Sequence, residues 1–442
     1  MRVAVISLGC PKNLVDSEVI IGLLLKNRYS LTNKWHSADA VIINTCAFIK
    51  SAVRESEQWI KEVLAYKKFG HIKKVIVTGC LVERYREVLL KKFSGLDSIV
   101  GINENHRLPQ ILKAAPEKIL ISSPPSSLYT FRTPRLLTTN SFAYVKIADG
   151  CNNFCSYCLI PSLRGYFRSR AISDVVNEAQ HLVNQGFKEL VLVAQDTTLY
   201  GKDLYNKLAL SDLLKQLTRL KNLVWLRLLY THPAHFTDEL VEVFRDTRKL
   251  CRYVDLPIQH ISNRILILMN RKYTGRDIRI LLDKLYKIPE MAVRSTVIVG
   301  FPSETDKEFQ KLLDFISEAR FTHLGCFMYS REKGPKAYNL PKQIPWRIKK
   351  QRYNEVMRLQ RTISEVRLRN FIGKEIPVII DEKLTSNDYR YKGRTEFDAP
   401  EIDGAVYIKC SRKTAPNINI GDIIKVKITA ADSYDLFGEV ST

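Results

Sequence analysis

The stretch FAYVKIADGCNNFCSYC, residues 142–158, decides the fold because it joins a predicted strand to a tight group of cysteines. The apolar run 142–150 predicts a β-strand, and Cys151, Cys155 and Cys158 follow it directly. At no more than about 3.6 Å per residue, a loop of this length can wrap a metal cluster a few ångströms across. Iron–sulfur clusters are normally held by four thiolates, so three local ligands leave one iron open. Because a catalytic centre needs an open coordination position, the spacing predicts a catalytic iron–sulfur cluster.

A structural zinc site is the alternative interpretation of these cysteines. Such sites usually contain paired CxxC motifs or added histidines. No histidine lies between residues 107 and 180. The pattern therefore favours an iron–sulfur cluster over zinc.

Three further cysteines each follow an apolar run near the N-terminus. The runs are VAVISLG, AVIINT and KKVIVTG, and the cysteines are Cys10, Cys46 and Cys80. For each alone, an ordinary buried cysteine is the simpler interpretation. Strands that alternate with helices predict a parallel sheet, however, and ligands gather at the carboxyl ends of its strands. The three thiols share that position, which predicts a second cluster with three protein ligands and an open iron.

Beyond residue 141, six strand–helix units are predicted up to residue 330, which suffice for a partial barrel but not a full (β/α)8 barrel. A basic helix is predicted at 344–371, and the short strands after it predict a small antiparallel β-barrel. The fold class is therefore α/β, with an N-terminal open parallel sheet, a central partial (β/α)6 barrel and a C-terminal β-barrel. The predicted segments are 1–115 for the N-terminal domain, 116–141 for a linker, 142–371 for the central domain with its basic helix, and 372–442 for the small barrel.

The charge distribution indicates an anionic partner. The chain has a formal net charge of +23, which attracts RNA or a ribonucleoprotein at long range; a merely basic surface is the alternative. Residues 331–371 contain 12 Lys and Arg against 3 Asp and Glu, whereas residues 372–442 contain 10 against 12. The C-terminal segment is thus the least basic part of the molecule.

The composition also limits the cellular location and the chemistry of the other cysteines. The longest apolar runs fall short of the roughly 18 residues that a membrane span needs, and no cleavable leader is recognisable. Nine cysteines at uneven spacing do not indicate a disulfide framework. We therefore expect a cytoplasmic protein without a membrane association, in which Cys251, Cys326 and Cys410 are buried structural residues.

The CxxxCxxC spacing, with Tyr157 before its last cysteine, resembles the motif of the radical S-adenosylmethionine superfamily. The whole chain, with its C-terminal barrel similar to a TRAM domain, resembles the methylthiotransferase family. Within that family, SLGCPKNLVDSE, IPSLRGYFRSR, AQDTTLYG, VDLPIQHISNRIL, MNRKYT and DAPEIDGAVYI resemble the RimO branch. The tRNA-modifying branch typically has GCQMN in place of GCPKN and GQNVNSY in place of AQDTTLYG.

The resemblance implies an enzyme that methylthiolates the β-carbon of an aspartate in protein twelve of the small ribosomal subunit. It implies two 4Fe-4S clusters, held by the two sets of three cysteines, together with S-adenosylmethionine and an external electron donor. S-adenosylmethionine would methylate a sulfur species at the N-terminal cluster, and a second molecule, cleaved at the other cluster, would yield the radical. The substrate is the free protein or the assembled subunit, and the basic helix either contacts ribosomal RNA or is a solvated face.

Tyr157, Gln195 and Gln259 are the candidates for binding S-adenosylmethionine, although both glutamines are also ordinary polar caps of strands. Two loops depart from the family pattern: Ser303 stands where glycine is expected, and SREKGPKAYNLP is irregular. The nearest alternative function is a tRNA adenosine methylthiotransferase. A more distant one is a noncatalytic RNA-binding protein with a metal cluster.

Overall fold

The computed structural model describes residues 1–113, 118–122, 128–385, 388–410 and 417–441. Short parts of the predicted linker, at 116–117 and 123–127, lie outside the described residues, as do 386–387, 411–416 and 442 of the predicted small barrel. None of the described helices is long and apolar enough to cross a membrane.

The strands build an N-terminal sheet, a central barrel and a C-terminal barrel. Their bounds are β1 (Arg2–Ser7), β2 (Ser30–Leu31), β3 (Ala40–Thr45), β4 (Lys74–Gly79), β5 (Ser98–Val100), β6 (Ile119–Leu120), β7 (Phe142–Lys146), β8 (Ala148–Asp149), β9 (Arg168–Ser169), β10 (Glu189–Val193), β11 (Trp225–Leu228), β12 (Tyr253–Asp255), β13 (Ala292–Val299), β14 (His323–Met328), β15 (Glu375–Lys383), β16 (Tyr391–Arg394), β17 (Val406–Lys409), β18 (Ile423–Ala431) and β19 (Leu436–Val440).

The helices lie between these strands, and short 3-10 helices occupy several loops. The α-helices are α1 (Pro11–Lys26), α2 (Lys50–Lys68), α3 (Cys80–Tyr85), α4 (Val88–Lys92), α5 (Leu108–Lys113), α6 (Ile160–Arg164), α7 (Ile172–Asn184), α8 (Lys202–Tyr205), α9 (Leu210–Leu217), α10 (Asp238–Asp246), α11 (Asn263–Leu268), α12 (Gly275–Tyr286), α13 (Asp306–Ala319) and α14 (Trp346–Arg369).

The N-terminal sheet is parallel throughout, in the order β2-β1-β3-β4-β5-β6. Separate apolar clusters cover its two faces, as expected for a parallel sheet that is buried on both sides. The predicted parallel sheet is therefore confirmed. Its last strand, β6, lies within the segment predicted to be a linker. A two-residue strand between proline-rich stretches carries no periodicity by which the sequence could reveal it.

The central barrel contains the six parallel strands that the sequence predicts. Strands β7, β10 and β11 form one sheet, and β12, β13 and β14 form another. A parallel bridge between Leu226 and Leu250 brings the two sheets together. The partial (β/α)6 barrel is thus confirmed, and its helices pack over the largest apolar core of the molecule.

The C-terminal strands close into a five-stranded barrel in the order β15-β16-β17-β19-β18, which confirms the predicted small barrel. Four neighbouring pairs are antiparallel, while β17 and β19 are parallel. The basic helix predicted at 344–371 is α14, which packs on α13 and β14 and reaches β18. It therefore joins the two barrels.

The loop 397–404 of the small barrel enters the central barrel at the amino ends of its strands. The hydroxyl of Tyr253 donates to Asp403 at 2.6 Å, and that of Tyr144 donates to Glu401 at 3.1 Å. Ala399 is buried in a core that also contains Phe142 and Tyr144 of β7. The loop therefore closes the bottom of the central barrel.

Protonation of His323 stabilises this contact. Its Nε2 lies 3.4 Å from a carboxylate oxygen of Asp398, and its Nδ1 lies 3.7 Å from one of Asp403. Burial lowers the pKa of His323, but Asp403 and Asp398 outweigh burial and raise the pKa above its usual range. The stabilisation is complete below the unfolded-state pKa of about 6.5 and is lost as pH rises through the raised pKa.

Replacement His323→Gln should therefore lower the apparent melting temperature most at acidic pH. The difference from the wild type should shrink as pH rises from about 6 towards 9. Thermal denaturation over this pH range measures the difference in melting temperature, and replacement of the exposed His106 by Gln, His106→Gln, is the matched control. A difference between wild type and His323→Gln that does not vary with pH would contradict the assignment.

Candidate active site: two cysteine triads and the charges between them

The first triad, Cys10, Cys46 and Cys80, lies at the carboxyl ends of three adjacent strands. Cys10 caps α1 after β1, Cys46 follows β3, and Cys80 begins α3 after β4. Gly9 has φ 94°, and a Cβ on it would lie 2.6 Å from the Cβ of Cys46, so only glycine fits there. Burial raises the pKa of Cys80 to about 12, and the nearby Cys46 and Cys10 also raise it. The fold thus brings together the three thiols that the sequence groups.

The second triad, Cys151, Cys155 and Cys158, occupies the loop after β8. Gly150 has φ 80°, and a Cβ on it would lie 2.1 Å from the carbonyl oxygen of Tyr166. The N–H of Cys158 donates to the carbonyl of Cys155 at 3.0 Å, which folds the loop back on itself. Burial raises the pKa of Cys151 to about 11 and that of Cys158 further.

Helix α6 connects the two triads. It begins just after Cys158, and Leu159 and Leu163 pack into the core of the N-terminal sheet. At the end of α6, Arg164 reaches back towards the first triad, where its positive charge opposes the rise of the Cys80 pKa, and its guanidinium donates to Asn13 of α1 at 3.2 Å. Five residues of helix therefore position one triad relative to the other.

Arg164 belongs to a buried charge cluster, defined here as Asp16, Lys146, Asp149 and Arg164. Its guanidinium lies 2.9 Å from Asp16 of α1 and 2.9 Å from Asp149 of β8. Lys146 pairs with the same two carboxylates, at 3.0 Å from Asp149. Burial alone would raise the pKa of Asp149, but Arg164 and Lys146 hold it well below its usual range. Two cations and two carboxylates thus join the N-terminal sheet to the loop that bears the second triad.

Sequence reasoning does not single out this cluster. Asp16 and Arg164 lie in the quoted segments SLGCPKNLVDSE and IPSLRGYFRSR, and Asp149 precedes the second triad. The only available signal is that charged residues occur within otherwise apolar or tightly turning segments. Their pairing spans up to 148 positions in the chain, which no local pattern encodes.

Lys12 lies beside the first triad as a second buried cation. Its side chain is 7% exposed, and its Nζ lies 3.1 Å from the centroid of the Tyr230 ring. Burial lowers the pKa of Lys12, while Cys10 opposes the shift. The neighbouring Asn13 donates to the carbonyl of Leu8 at 2.6 Å and so holds the turn that presents Cys10.

The three candidate residues for S-adenosylmethionine lie in different environments: Tyr157 belongs to the loop of the second triad, Gln195 contacts Asp149 beside that loop, and Gln259 follows the carboxyl end of β12. Gln195 donates to Asp149 at 2.7 Å, and its buried Oε1 has no partner among the described residues. Gln259 has φ 66° and bridges to Val297 through its backbone, and no described residue hydrogen-bonds its side chain. Tyr157 accepts a hydrogen bond of 3.4 Å from Arg271.

Arg271 is a site residue that sequence reasoning does not identify. Its Nη1 also lies 3.4 Å from the thiol of Cys155, and its Nη2 donates to the carbonyl of Pro257 at 2.9 Å. The side chain is buried, so this cation is fixed directly beside the second triad. Only its place in the segment MNRKYT could have indicated it.

A group formed by Asp196, His232 and His235 lies at the carboxyl ends of β10 and β11. Asp196 accepts hydrogen bonds from His235 at 2.8 Å and from Asn153 of the cysteine loop at 2.7 Å. Among the described residues these three side chains alone have ligand atoms close enough to hold one metal ion. The Nδ1 of His232, however, accepts from the N–H of Ala234 at 3.2 Å, so its Nε2 carries the proton and cannot be a ligand. The group therefore orients Asn153 within the cysteine loop.

The two unusual loops have structural explanations. Ser303 has φ 68°, the left-handed conformation that favours glycine, and its hydroxyl donates to the carbonyl of Pro341 at 3.3 Å. In the loop SREKGPKAYNLP, Glu332 forms an ion pair of 2.7 Å with Arg84 and accepts from the N–H of Lys50 at 3.0 Å. That loop thus links the central barrel to the N-terminal sheet.

The remaining cysteines lie away from both triads. Cys251 and Cys326 are buried among apolar residues of the central barrel, as expected. Cys410, expected to be buried, is only half-buried, because it follows the end of β17 at the edge of the small barrel.

Three family models match the chain. The Uncharacterized protein family UPF0004 matches residues 2–101, the Radical SAM superfamily matches 145–316, and the TRAM domain matches 372–440. A radical S-adenosylmethionine methyltransferase, TsrM from Kitasatospora setae, is 14% identical with a TM-score of 0.56, covering 76% of this chain and 74% of that chain. The cobalamin-dependent S-adenosylmethionine radical enzyme OxsB is 12% identical with a TM-score of 0.54, covering 82% of this chain and 57% of that chain. At these identities the solved structures show a shared fold.

Relatives of much higher identity extend over the full length. Proteins named ribosomal protein uS12 methylthiotransferase RimO from Desulforamulus reducens and Geotalea uraniireducens are 46% and 44% identical over 99% of this chain, covering 99% and 98% of their own lengths. The protein of that name from Clostridioides difficile is 43% identical over 100% of this chain and 99% of its own length.

The matched segments and the cysteine-bearing barrel define a radical S-adenosylmethionine enzyme with an added N-terminal sheet and a C-terminal TRAM barrel. The chain belongs to the RimO family of ribosomal protein uS12 methylthiotransferases.

Removal of Arg164 tests whether the buried charge cluster holds the two halves of the site together. Replacement Arg164→Leu leaves Asp16 and Asp149 with one cation, which should cost about 3–5 kcal/mol as for other broken buried pairs. Differential scanning calorimetry should show a lower apparent melting temperature. The control is Lys207→Leu, which breaks a pair exposed to solvent and should leave the melting temperature unchanged. Equal melting temperatures for both variants would contradict this role.

Proposed function

We propose that this chain methylthiolates the β-carbon of an aspartate in ribosomal protein uS12. The observation that carries the proposal is the juxtaposition of the two cysteine triads across α6, whose Leu163 packs in the same apolar cluster as Cys80 and whose Arg164 pairs with Asp16 of α1. Two centres joined by one short helix suit a reaction that must generate a radical and deliver a sulfur group to the same carbon. The full-length similarity to proteins named uS12 methylthiotransferase supports this substrate.

The donor set of each triad fits an iron–sulfur cluster better than zinc. Each offers three thiols and leaves one position for an outside ligand. Within the described residues, neither triad has all three sulfur atoms within 4.8 Å of one another. Sulfur ligands on one tetrahedral zinc would lie about 3.8 Å apart, given a Zn–S distance of about 2.3 Å. Cys10, Cys46 and Cys80 would thus hold one 4Fe-4S cluster, and Cys151, Cys155 and Cys158 the other.

When bound, the clusters and S-adenosylmethionine supply the methylated sulfur group and the carbon-centred radical, with an electron from an external donor. The protein positions and shields this chemistry. The buried charge cluster holds the loop of the second triad against α1. We assign Tyr157, Gln195 and Gln259 to the binding of S-adenosylmethionine.

Exposed aromatic side chains next to both triads suit a protein substrate. Phe48 is 40% exposed two residues after Cys46, and Phe154 within the second triad is 47% exposed. Phe154 packs edge-on against Tyr166, with ring centroids 6.1 Å apart. Aromatic residues are enriched at protein interfaces, so this rim is the entry surface we assign to uS12.

The remaining assignments follow from this proposal. The family models fit within the boundaries 1–115, 142–371 and 372–442, which we propose as domains separated by a linker at 116–141. The exposed arginines of α14, Arg347 and Arg358, suit a contact with ribosomal RNA when the assembled subunit is the substrate. A ribosomal protein as substrate places the enzyme in the cytoplasm.

Incubation of the reconstituted enzyme with S-adenosylmethionine, a sulfide source and a reductant tests the function. The substrates should be free uS12, small ribosomal subunits and tRNA in parallel. We expect methylthiolated aspartate by peptide mass spectrometry and no change in the tRNA. Methylthio groups on tRNA alone would show the tRNA-modifying function instead. Neither product, together with zinc in place of iron, would indicate a noncatalytic protein.

Cysteine variants separate the two centres. Combined Cys151→Ala, Cys155→Ala and Cys158→Ala should abolish formation of 5′-deoxyadenosine. Combined Cys10→Ala, Cys46→Ala and Cys80→Ala should retain 5′-deoxyadenosine but lose the methylthiolated product, with about half the iron. Cys410→Ser serves as the control and should keep both products. A methylthiolated product from either triple variant would contradict the assignment of two centres.

A further inference from the structure

Lys12 is a buried cation that forms no ion pair with any residue the structure describes. Its Nζ packs on the face of Tyr230 at 3.1 Å, and the residue is 7% exposed. Within the described part of the chain the ammonium forms neither an ion pair nor a hydrogen bond, and its polar contact is the cation–π contact with this ring. A buried ammonium group without a partner is costly, so the missing anion is expected to come from outside the chain.

The carboxylates near Lys12 are already paired. Asp16 and Asp149 are both matched within the buried charge cluster. Asp255, the next carboxylate, lies 3.3 Å from the guanidinium of Arg294 and accepts from the N–H of Tyr230 at 2.9 Å. Arg294 also pairs with Asp403 at 3.1 Å. These carboxylates therefore have cationic partners other than Lys12, and none of them forms an ion pair with it.

Lys12 lies near residues that flank each triad. Lys12 follows Cys10 by two residues, and both Cys10 and Asp149 are close enough to act on its charge. Asp149 itself precedes Cys151 by two residues. A carboxylate bound by Lys12 would thus lie where a substrate must meet both centres.

We propose that Lys12 binds the side-chain carboxylate of the aspartate that this enzyme modifies. The inference rests on the proposed function and adds the residue that determines its substrate specificity. In an aspartate the carboxylate is bonded directly to the β-carbon, so an ion pair with the ammonium fixes the position of the carbon that reacts. The ammonium donates hydrogen bonds and is not consumed, so no further reactant is needed. The same contact rejects a substrate that offers no carboxylate.

Equilibrium binding of uS12 to the holoenzyme gives a readout that is independent of turnover. The two ligands are uS12 and a uS12 variant with asparagine at the target aspartate. Wild-type enzyme should bind the aspartate form about 10- to 100-fold more tightly, the range for a hydrogen bond to a charged group. Lys12→Met has a straight side chain of similar length without charge, and it should bind both forms equally.

Activity and cluster content complete the test. The kcat/KM of Lys12→Met for uS12 should fall at least about 10-fold, while iron content and uncoupled 5′-deoxyadenosine formation stay at wild-type values. Lys26→Met, at the exposed end of the same helix, should match the wild type in every measurement. Lys12→Gln provides a second neutral variant and should behave like Lys12→Met.

Unchanged preference for aspartate over asparagine in either neutral variant would overturn the proposal. Loss of iron from both Lys12→Met and Lys12→Gln would also overturn it, because Lys12 would then serve cluster assembly. A wild-type enzyme that leaves uS12 unmodified would instead contradict the proposed function, so the two failures are distinguishable.

Discussion

The arrangement of the site depends on the buried ion pairs of Arg164. Its guanidinium lies 2.9 Å from Asp16 on α1 and 2.9 Å from Asp149 beside the second triad. Burying such charges is expensive, and replacing a complete set by apolar residues is often neutral for stability. The benefit here is geometric, since separation of the two halves would leave Asp16 without a cation and Lys146 and Arg164 with only one carboxylate between them. Arg164, which follows the second triad in the chain, thereby also fixes the position of the first triad.

The central barrel is closed at both ends by other parts of the chain. The N-terminal sheet covers the carboxyl ends of its strands through α1 and α3, and the loop 397–404 fills the amino ends. A barrel that is closed at the bottom and covered at the top limits access of water to reactive intermediates. The C-terminal barrel therefore helps to enclose the catalytic centre and is also a candidate binding surface.

Local sequence patterns predicted the fold almost completely. Six apolar runs match six barrel strands, and the three N-terminal runs place Cys10, Cys46 and Cys80 at adjacent strand ends. Strands β2, β5, β6 and β9 escaped prediction because two or three residues carry no periodicity. The CxxxCxxC spacing indicated the second triad, and the shared position of three cysteines after predicted strands indicated the first.

The charged residues around the triads were not predicted, because their partners are distant in sequence. Arg164 meets Asp16 across 148 positions, and Lys12 meets Tyr230 only once helix α1 packs on the barrel. A lysine within GCPKN has no periodic or spacing signal that distinguishes a buried cation from a surface one. Such information resides in the tertiary structure, where burial and the lack of a counter-ion become visible.

Mass spectrometry of uS12 from cells with and without this gene tests the central claim most directly. The account predicts a methylthio group on one aspartate of uS12 in the parent cells, absent from the deletion strain and restored by the wild-type gene. Cells complemented with the combined Cys10→Ala, Cys46→Ala and Cys80→Ala variant should also lack it. An unmodified uS12 in the parent cells, or a modification that persists after deletion, would contradict the account.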